Sequence, residues 1–128
     1  MLISKDYRTR SGTQPVKEYI DRLDSAARAK LYQHIRRLSM LGESLDYPHT
    51  SQVEGELREL RAWFGARHFR IYYRRSGQFA VLLHIIEKRA ARLPPADTAI
   101  ATARFDDFRA RMDRDPRKPP RAVGSDAP

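Results

Sequence analysis

The fold is decided by the stretch FRIYYRRSGQFAVLLHII, residues 69–86. Aromatic and β-branched residues dominate both halves of it, a composition typical of β-strands. Between the halves stands the pair Ser76-Gly77, which predicts a tight turn between antiparallel strands. The second half is almost entirely apolar, as expected of a central strand that is buried on both faces. The stretch therefore predicts a β-hairpin in the middle of a sheet, with strands over residues 69–75 and 78–87.

Upstream of this hairpin, a third strand is predicted over residues 57–63, where apolar residues again recur with a period of two. Pro, Ser and Gly residues interrupt the periodicity over residues 43–55, which are therefore expected to form a loop. Residues 2–7 are short and of mixed polarity, and an edge strand is expected there. The strands together predict a small antiparallel sheet.

Two amphipathic helices are predicted before these strands, because apolar residues recur there at intervals of three and four. The first has Thr13 as its N-cap and ends near Leu23. The second is capped by Asp24 or Ser25 and ends at Gly42. Two consecutive amphipathic helices predict a helical hairpin.

The end of the chain divides into a helix and a tail. Two prolines at 94 and 95 stop the last strand, and residues 96–112 are expected to form a helix. The side chains expected to face the protein are Ala99, Ala103, Phe105 and Phe108. Residues 113–128 lack apolar periodicity and are predicted to be disordered, so that their deletion is expected to leave the activity intact.

These elements predict an α+β fold, an N-terminal helical hairpin packed on a small antiparallel β-sheet with a C-terminal helix. The domain is expected to span residues 1–112, with the disordered tail over residues 113–128. A chain of 128 residues, 41% of them hydrophobic, has the size and composition of one globular domain.

Charge and cysteine content limit the function classes. There are 25 Lys and Arg against 16 Asp and Glu, a net charge of +9, which favours an anionic partner such as nucleic acid, a ribosome or an acidic protein. The chain has no cysteine, which excludes disulfides and thiolate metal sites. No signal peptide or membrane-spanning stretch is recognisable, so a cytoplasmic protein without a membrane partner is expected. Phosphate-binding loops, nucleophile elbows and metal-ligand spacings are absent, and neither a metal nor a cofactor is predicted.

Strand alternation nevertheless brings reactive side chains to one face, because residues two apart in a strand share a face. This set comprises Glu59, Arg61, Arg70, Tyr72, His84 and Lys88. Metal-free RNA cleavage needs a base for the 2′-hydroxyl, cations for the phosphate and an acid for the leaving 5′-oxygen. The two guanidiniums and the ammonium suit the phosphate. Glu59 or His84 suits the base, and Tyr72 or Tyr73 suits base stacking or proton donation.

Structural roles are an open alternative for the same residues. Glu59 can form cross-strand ion pairs with Arg61 or Arg70, each worth only a few tenths to about 1 kcal/mol. His84 lies inside an apolar strand, where a hydrogen-bonded core histidine is the commoner finding. Four arginines outside the set are expected to bind RNA phosphates, namely Arg58, Arg74, Arg89 and Arg92.

Four motifs in order resemble the HigB-like, phage-derived branch of the RelE/ParE toxin superfamily. They are Glu59-Leu60-Arg61, Phe69-Arg70-Ile71-Tyr72-Tyr73, Leu82-Leu83-His84 with Glu87-Lys88-Arg89, and Pro94-Pro95 before a helix with Ala99 and Ala103. The resemblance covers about residues 1–112. By position, the pattern residues carried over are Glu59, Arg61, Arg70, Tyr73 and Lys88. Where the pattern usually has a second lysine, this chain has Arg89.

The resemblance implies an endoribonuclease toxin that cuts mRNA in the ribosomal A site. It also implies a cognate antitoxin as partner, often a helix-turn-helix protein of the HigA type. Two alternatives remain open at this stage: a ParE-like toxin that inhibits DNA gyrase, and a non-catalytic basic module that binds nucleic acid. The superfamily fold hosts both kinds of toxin, so the fold does not decide between them.

Overall fold

The computed structural model describes residues 2–42, 45, 49–88 and 94–124. In chain order, the helices and strands of these residues are β1 Ile3–Asp6, α1 Pro15–Asp21, α2 Ser25–Leu41, β2 Thr50–Glu54, β3 Leu57–Phe64, β4 Arg67–Ser76, β5 Phe79–Glu87 and α3 Pro95–Arg114. The predicted hairpin is confirmed as β4 and β5, and Gly77 at its turn has a positive φ of 59°. The predicted third strand is confirmed as β3.

The predicted architecture, an N-terminal helical hairpin packed on a small antiparallel sheet, is wrong. The five strands form a mixed sheet in the order β1-β5-β4-β3-β2, in which β1 runs parallel to β5. The chain begins with β1, and α1 packs mainly on β5 while α2 packs mainly on β3. The physical reason is non-local, because β1 covers the edge of β5 that would otherwise be open. A strand of only four residues with mixed polarity gives no local sign of whether it pairs parallel or antiparallel. Residues 50–54, predicted to be loop, form the other edge strand beside β3.

One face of the sheet is covered by α1 and α2. The core on this face is apolar, and its largest fully buried side chains come from both helices and from β3 and β4. They are Ile20, Leu31, Leu38, Leu60, Phe69 and Ile71. The N-cap predicted for α2 is confirmed, since the Asp24 carboxylate accepts a hydrogen bond from the Ala27 amide at 3.0 Å. For α1 the N-cap residue is Gln14, and not Thr13 as predicted.

The other face of the sheet is covered by α3. Ala101, Phe105 and Phe108 are buried against it, together with Tyr72, Val81 and Leu83 from the strands. Two side chains predicted to face the protein, Ala99 and Ala103, are exposed instead. Because α3 crosses this face, the surface that carries the predicted reactive set is only partly open.

The chain after α3 also departs from the sequence expectation. Helix α3 continues to Arg114, and the segment that follows returns to the sheet, where Ala122 and Val123 are buried. The Gly124 amide donates a hydrogen bond to the carbonyl of Asp6 at 2.8 Å, so this segment pairs with the chain at the end of β1. Two isolated apolar residues among prolines and arginines give no periodicity, so the sequence offers no sign that this segment is anchored.

Candidate functional site

A groove of about 980 Å³ opens between α3 and the β2 edge of the sheet. Glu59 and Arg61 of β3 line its floor, β2 forms one wall, and the first turns of α3 form the other. Lys88, directly after the end of β5, also lines the groove. Three members of the predicted set therefore share one concave surface.

Glu59 is the centre of a charged network at the groove floor. It is only 3% exposed, and its Oε1 atom accepts hydrogen bonds from Ser51 Oγ at 2.9 Å and from Arg61 Nε at 3.0 Å. Ser51 reaches it because the two residues are register partners between β2 and β3. The other carboxylate oxygen, Oε2, is buried and has no hydrogen-bond donor among the residues described. The network therefore holds the carboxylate in place and leaves one oxygen with acceptor capacity.

Arg70 lies beside this carboxylate, with its Nε atom 3.5 Å from Glu59 Oε1. Its side chain is nearly buried, and it donates from Nη1 to the carbonyl of Phe69 at 3.2 Å. Burial lowers the pKa of the Arg70 guanidinium, while the negative charge of Glu59 opposes that shift. The Glu59 carboxylate thus lies between the guanidiniums of Arg61 and Arg70.

His84 and Tyr72 lie on the same face but under α3. His84 Nε2 is 2.6 Å from Asp97 Oδ1, and Arg104 Nη1 is 3.1 Å from His84 Nδ1. Since the arginine can only donate, Nδ1 is the acceptor and the ring donates its Nε2 proton to Asp97. Both nitrogens are thus used to tie α3 to β5, which favours the interpretation of His84 as a structural histidine. The Tyr72 ring stands 5.7 Å from that of His84 and is fully buried, and this burial raises the pKa of its hydroxyl, which lies near Thr98.

Tyr73 is on the opposite face of the sheet, in the core under α1 and α2. The register does shift beside it, but the extra residue is Leu83 on β5, so Tyr73 keeps the face that strand alternation gives it. Its hydroxyl accepts a long hydrogen bond of 3.4 Å from Arg58, which lies on the same face. Neither residue reaches the groove.

The remaining arginines expected to bind RNA are also away from the groove where the structure describes them. Arg74 lies over the ring of Phe105 at 4.3 Å and pairs with Glu56 at 2.7 Å. Arg89 and Arg92 fall outside the described residues. Among the residues with described positions, no helix is long and apolar enough to cross a membrane, and no cluster of three or more His, Asp or Glu could hold a metal ion.

The sequence of this region matches a known family. Residues 18–106 match the model of the family described as Phage derived protein Gp49-like (DUF891). The chain belongs to the Gp49-like family. This family is toxin-like, related to RelE/HigB-type toxins, and is associated with toxin–antitoxin systems. A search of curated proteins finds no match.

The Gp49-like part of the chain contains every residue that lines the groove, from Ser51 to Asp106. Strand β1 and the segment after α3 lie outside it. The groove therefore lies within the Gp49-like region, and the returning C-terminal segment lies outside the residues that match.

Several groove residues of this Gp49-like chain escape sequence reasoning. Ser51 lies in a stretch that reads as loop, and its role follows only from its register with Glu59. Thr98 and Thr102 face the groove from α3, at a spacing of four residues that does mark one helical face.

Glu54 and Asp106 bring the carboxylates on the lining to three, against the two cations Arg61 and Lys88. The groove is thus close to charge balance, and the basic excess of the chain lies elsewhere.

Proposed function

We propose that this chain is the toxin of a toxin–antitoxin pair and cuts messenger RNA on the ribosome. The single observation that carries the proposal is the network at the groove floor, in which the buried Glu59 keeps one unpaired oxygen beside Arg61 and Arg70. Membership of a toxin-like family associated with toxin–antitoxin systems supports the first half of the proposal.

In the proposed reaction, Glu59 Oε2, which is buried in the free chain and has to be uncovered as RNA enters the groove, accepts the proton of a ribose 2′-hydroxyl. The 2′-oxygen then bonds to the adjacent phosphorus as the bond from phosphorus to the 5′-oxygen breaks, and the 5′-oxygen takes a proton. The products are a 2′,3′-cyclic phosphate and a 5′-hydroxyl end. General base catalysis of this kind contributes about 10²- to 10⁴-fold, so the loss of the carboxylate charge is expected to be severe.

Arg61 and Lys88 are the cations that line the groove, and we assign them to the phosphate. Negative charge builds up on the phosphate oxygens during attack, and donors fixed around that position stabilise the transition state. Lys88 is also our choice as the acid for the 5′-oxygen, since an ammonium can give up a proton where a guanidinium cannot. Arg70 lies behind Glu59 and positions it.

His84 and Tyr72 enter the proposal as positioning residues only. Both ring nitrogens of His84 are already used by Asp97 and Arg104, and Tyr72 is fully buried under α3, so neither side chain is assigned a contact with RNA. The ribosome is proposed to align the message, and such positioning lowers a barrier by several kcal/mol even when the side-chain set is small. An antitoxin is the proposed inhibitor.

The test is to induce the chain in bacteria without an antitoxin and to map new 5′ ends on messenger RNA, with translation active and with translation blocked. The variants are Lys88→Met and Arg61→Gln, beside Arg36→Gln as a control that removes one exposed positive charge from α2. Loss of one such donor is expected to lower cleavage about 10²-fold or more, while the control cuts like the parent chain.

Each outcome discriminates between functions. Growth arrest with cuts confined to translated messages, lost in Lys88→Met and kept in Arg36→Gln, supports the proposal. Arrest with intact messages and broken DNA would replace it by gyrase inhibition. Absence of arrest from a folded chain would leave only a non-toxic binding module.

A further inference from the structure

The positive charge that the groove lacks is concentrated at another corner of the molecule. This basic corner is formed by residues 8–10, by the last turns of α3 and by the segment that returns to β1, and so comprises residues 8–10 and 107–121. It holds eight Arg and Lys against three Asp. None of these residues belongs to the part that matches the Gp49-like family, so the family assignment carries no information on what this corner does.

The corner is a fixed surface and not a loose tail. Arg111 donates from its guanidinium to the carbonyls of Arg8 at 2.8 Å and Pro120 at 2.8 Å, and to the Asp107 carboxylate at 2.7 Å. Behind this arginine, the buried Val123 bridges to Tyr7, whose hydroxyl donates to the same Asp107 at 2.6 Å. The side chains of Arg111, Asp107 and Tyr7 thus join the three parts of the corner through hydrogen bonds within the protein.

Other cations of the corner stay available. Arg114, Arg117 and Lys118 are exposed, and none of their side chains has an ion-pair or hydrogen-bond partner among the residues described. A recess of about 180 Å³ is lined by Arg114, Lys118 and the anchoring Arg111, together with Asp115, Pro119 and Pro120. Basic side chains in the last turn of α3 offset the negative end of its helix dipole, which would otherwise repel an anion there.

From this arrangement we infer that the basic corner is a docking surface for the phosphate backbone of RNA, separate from the groove. The lining offers three guanidiniums and one ammonium against the single carboxylate of Asp115, and it has no aromatic side chain, whereas protein–protein interfaces usually include buried Trp or Tyr anchors. Nucleic-acid interfaces are instead more polar and far more positive. The inference does not depend on the proposed cleavage, because binding to a phosphate backbone requires no reaction in the groove.

The test measures binding of the full chain to a fluorescent 20-nucleotide RNA whose 2′-hydroxyls are all methylated, so that no 2′-hydroxyl can attack. Anisotropy titrations at several salt concentrations give the slope of log K against log salt. The variant is the triple substitution R114Q/R117Q/K118Q. The control is R22Q/R36Q/R37Q, which removes three exposed cations from the end of α1 and from α2. Circular dichroism checks that both remain folded.

Each phosphate contact on a single strand contributes roughly 0.7 to the slope, so the corner variant is expected to reduce it by about 2 and to bind more weakly at every salt concentration. The control is expected to keep the slope of the parent chain. Equal slopes for the corner variant and the parent would overturn the inference, as would an equal loss in the control. Unchanged RNA binding with lost binding to polyglutamate would assign the corner to an acidic protein instead. A chain that never cuts messages but shows the expected slopes would reject only the proposed function.

Discussion

Replacement of Glu59 by Gln is the sharpest perturbation that the structure offers. The substitution keeps the shape of the side chain and removes its charge, which leaves Arg70, only 6% exposed, without a counter-charge. Breaking one partner out of a buried ion pair costs about 3–5 kcal/mol when both charges are fully desolvated. The Arg61 side chain is 26% exposed, so solvent screens part of its share. We expect the free energy of unfolding to fall by about 2–4 kcal/mol at pH 7.

The assay is urea unfolding followed by the fluorescence of Trp63, the one tryptophan of the chain. A double-mutant cycle with Arg70→Met isolates the pair, because removal of both charges no longer leaves one of them buried alone. The double variant is expected to be more stable than the sum of the single losses by about 1–3 kcal/mol. A loss below about 0.5 kcal/mol in Glu59→Gln, with no coupling to Arg70, would refute the network.

A comparison of Glu59→Gln with Ser51→Ala separates stability from chemistry. Ser51→Ala removes a single hydrogen bond to Glu59 and is expected to cost about 1 kcal/mol. Under conditions where both variants are fully folded, Glu59→Gln is expected to lose cleavage about 10²-fold or more, and Ser51→Ala to retain most of it. Equal activity of the two would remove Glu59 from its assignment as base.

Three further predictions concern stability and its dependence on pH. Burial raises the pKa of Asp6 from 3.8 to about 6, so between these pH values the native state holds a proton that the unfolded chain releases. The free energy of unfolding should therefore fall as pH rises from about 4 to 6. The variant Asp6→Asn should lose that part of the pH profile. Val123→Ala is expected to lower the free energy of unfolding by about 1–3 kcal/mol, and deletion of residues 115–128 is expected to lower it further. Urea unfolding measures both losses. A disordered tail would give no change in either variant. Asp97→Asn weakens the hydrogen bond between α3 and His84, so hydrogen exchange should increase in α3 and change little in β3. An equal increase in α3 and β3 would contradict the anchoring role of this bond.

The candidate site shows where sequence reasoning holds and where it stops. Alternation along β3 and β4 correctly placed Glu59, Arg61 and Arg70 together, because the period of a strand is a local property of the backbone. The set that alternation predicted for this face does not include Tyr73, and the structure places Tyr73 in the core on the opposite face. It could not show that α3 covers His84 and Tyr72, since that contact joins residues far apart in the chain.

The sequence by itself determined the elements whose signals are local: the hairpin of β4 and β5 through its turn and apolar run, α2 through its Asp24 cap, and the side chains that share one face of β3 and β4. Only the tertiary structure decided the parallel placement of β1, the β2 wall of the groove, the helix that narrows it and the anchored C-terminal segment. Strands β1 and β2 and the C-terminal segment are held by one or two buried apolar residues or by backbone hydrogen bonds between distant segments. Such contacts leave no periodic pattern in the sequence, because their free energy arises only when both partners are already in place.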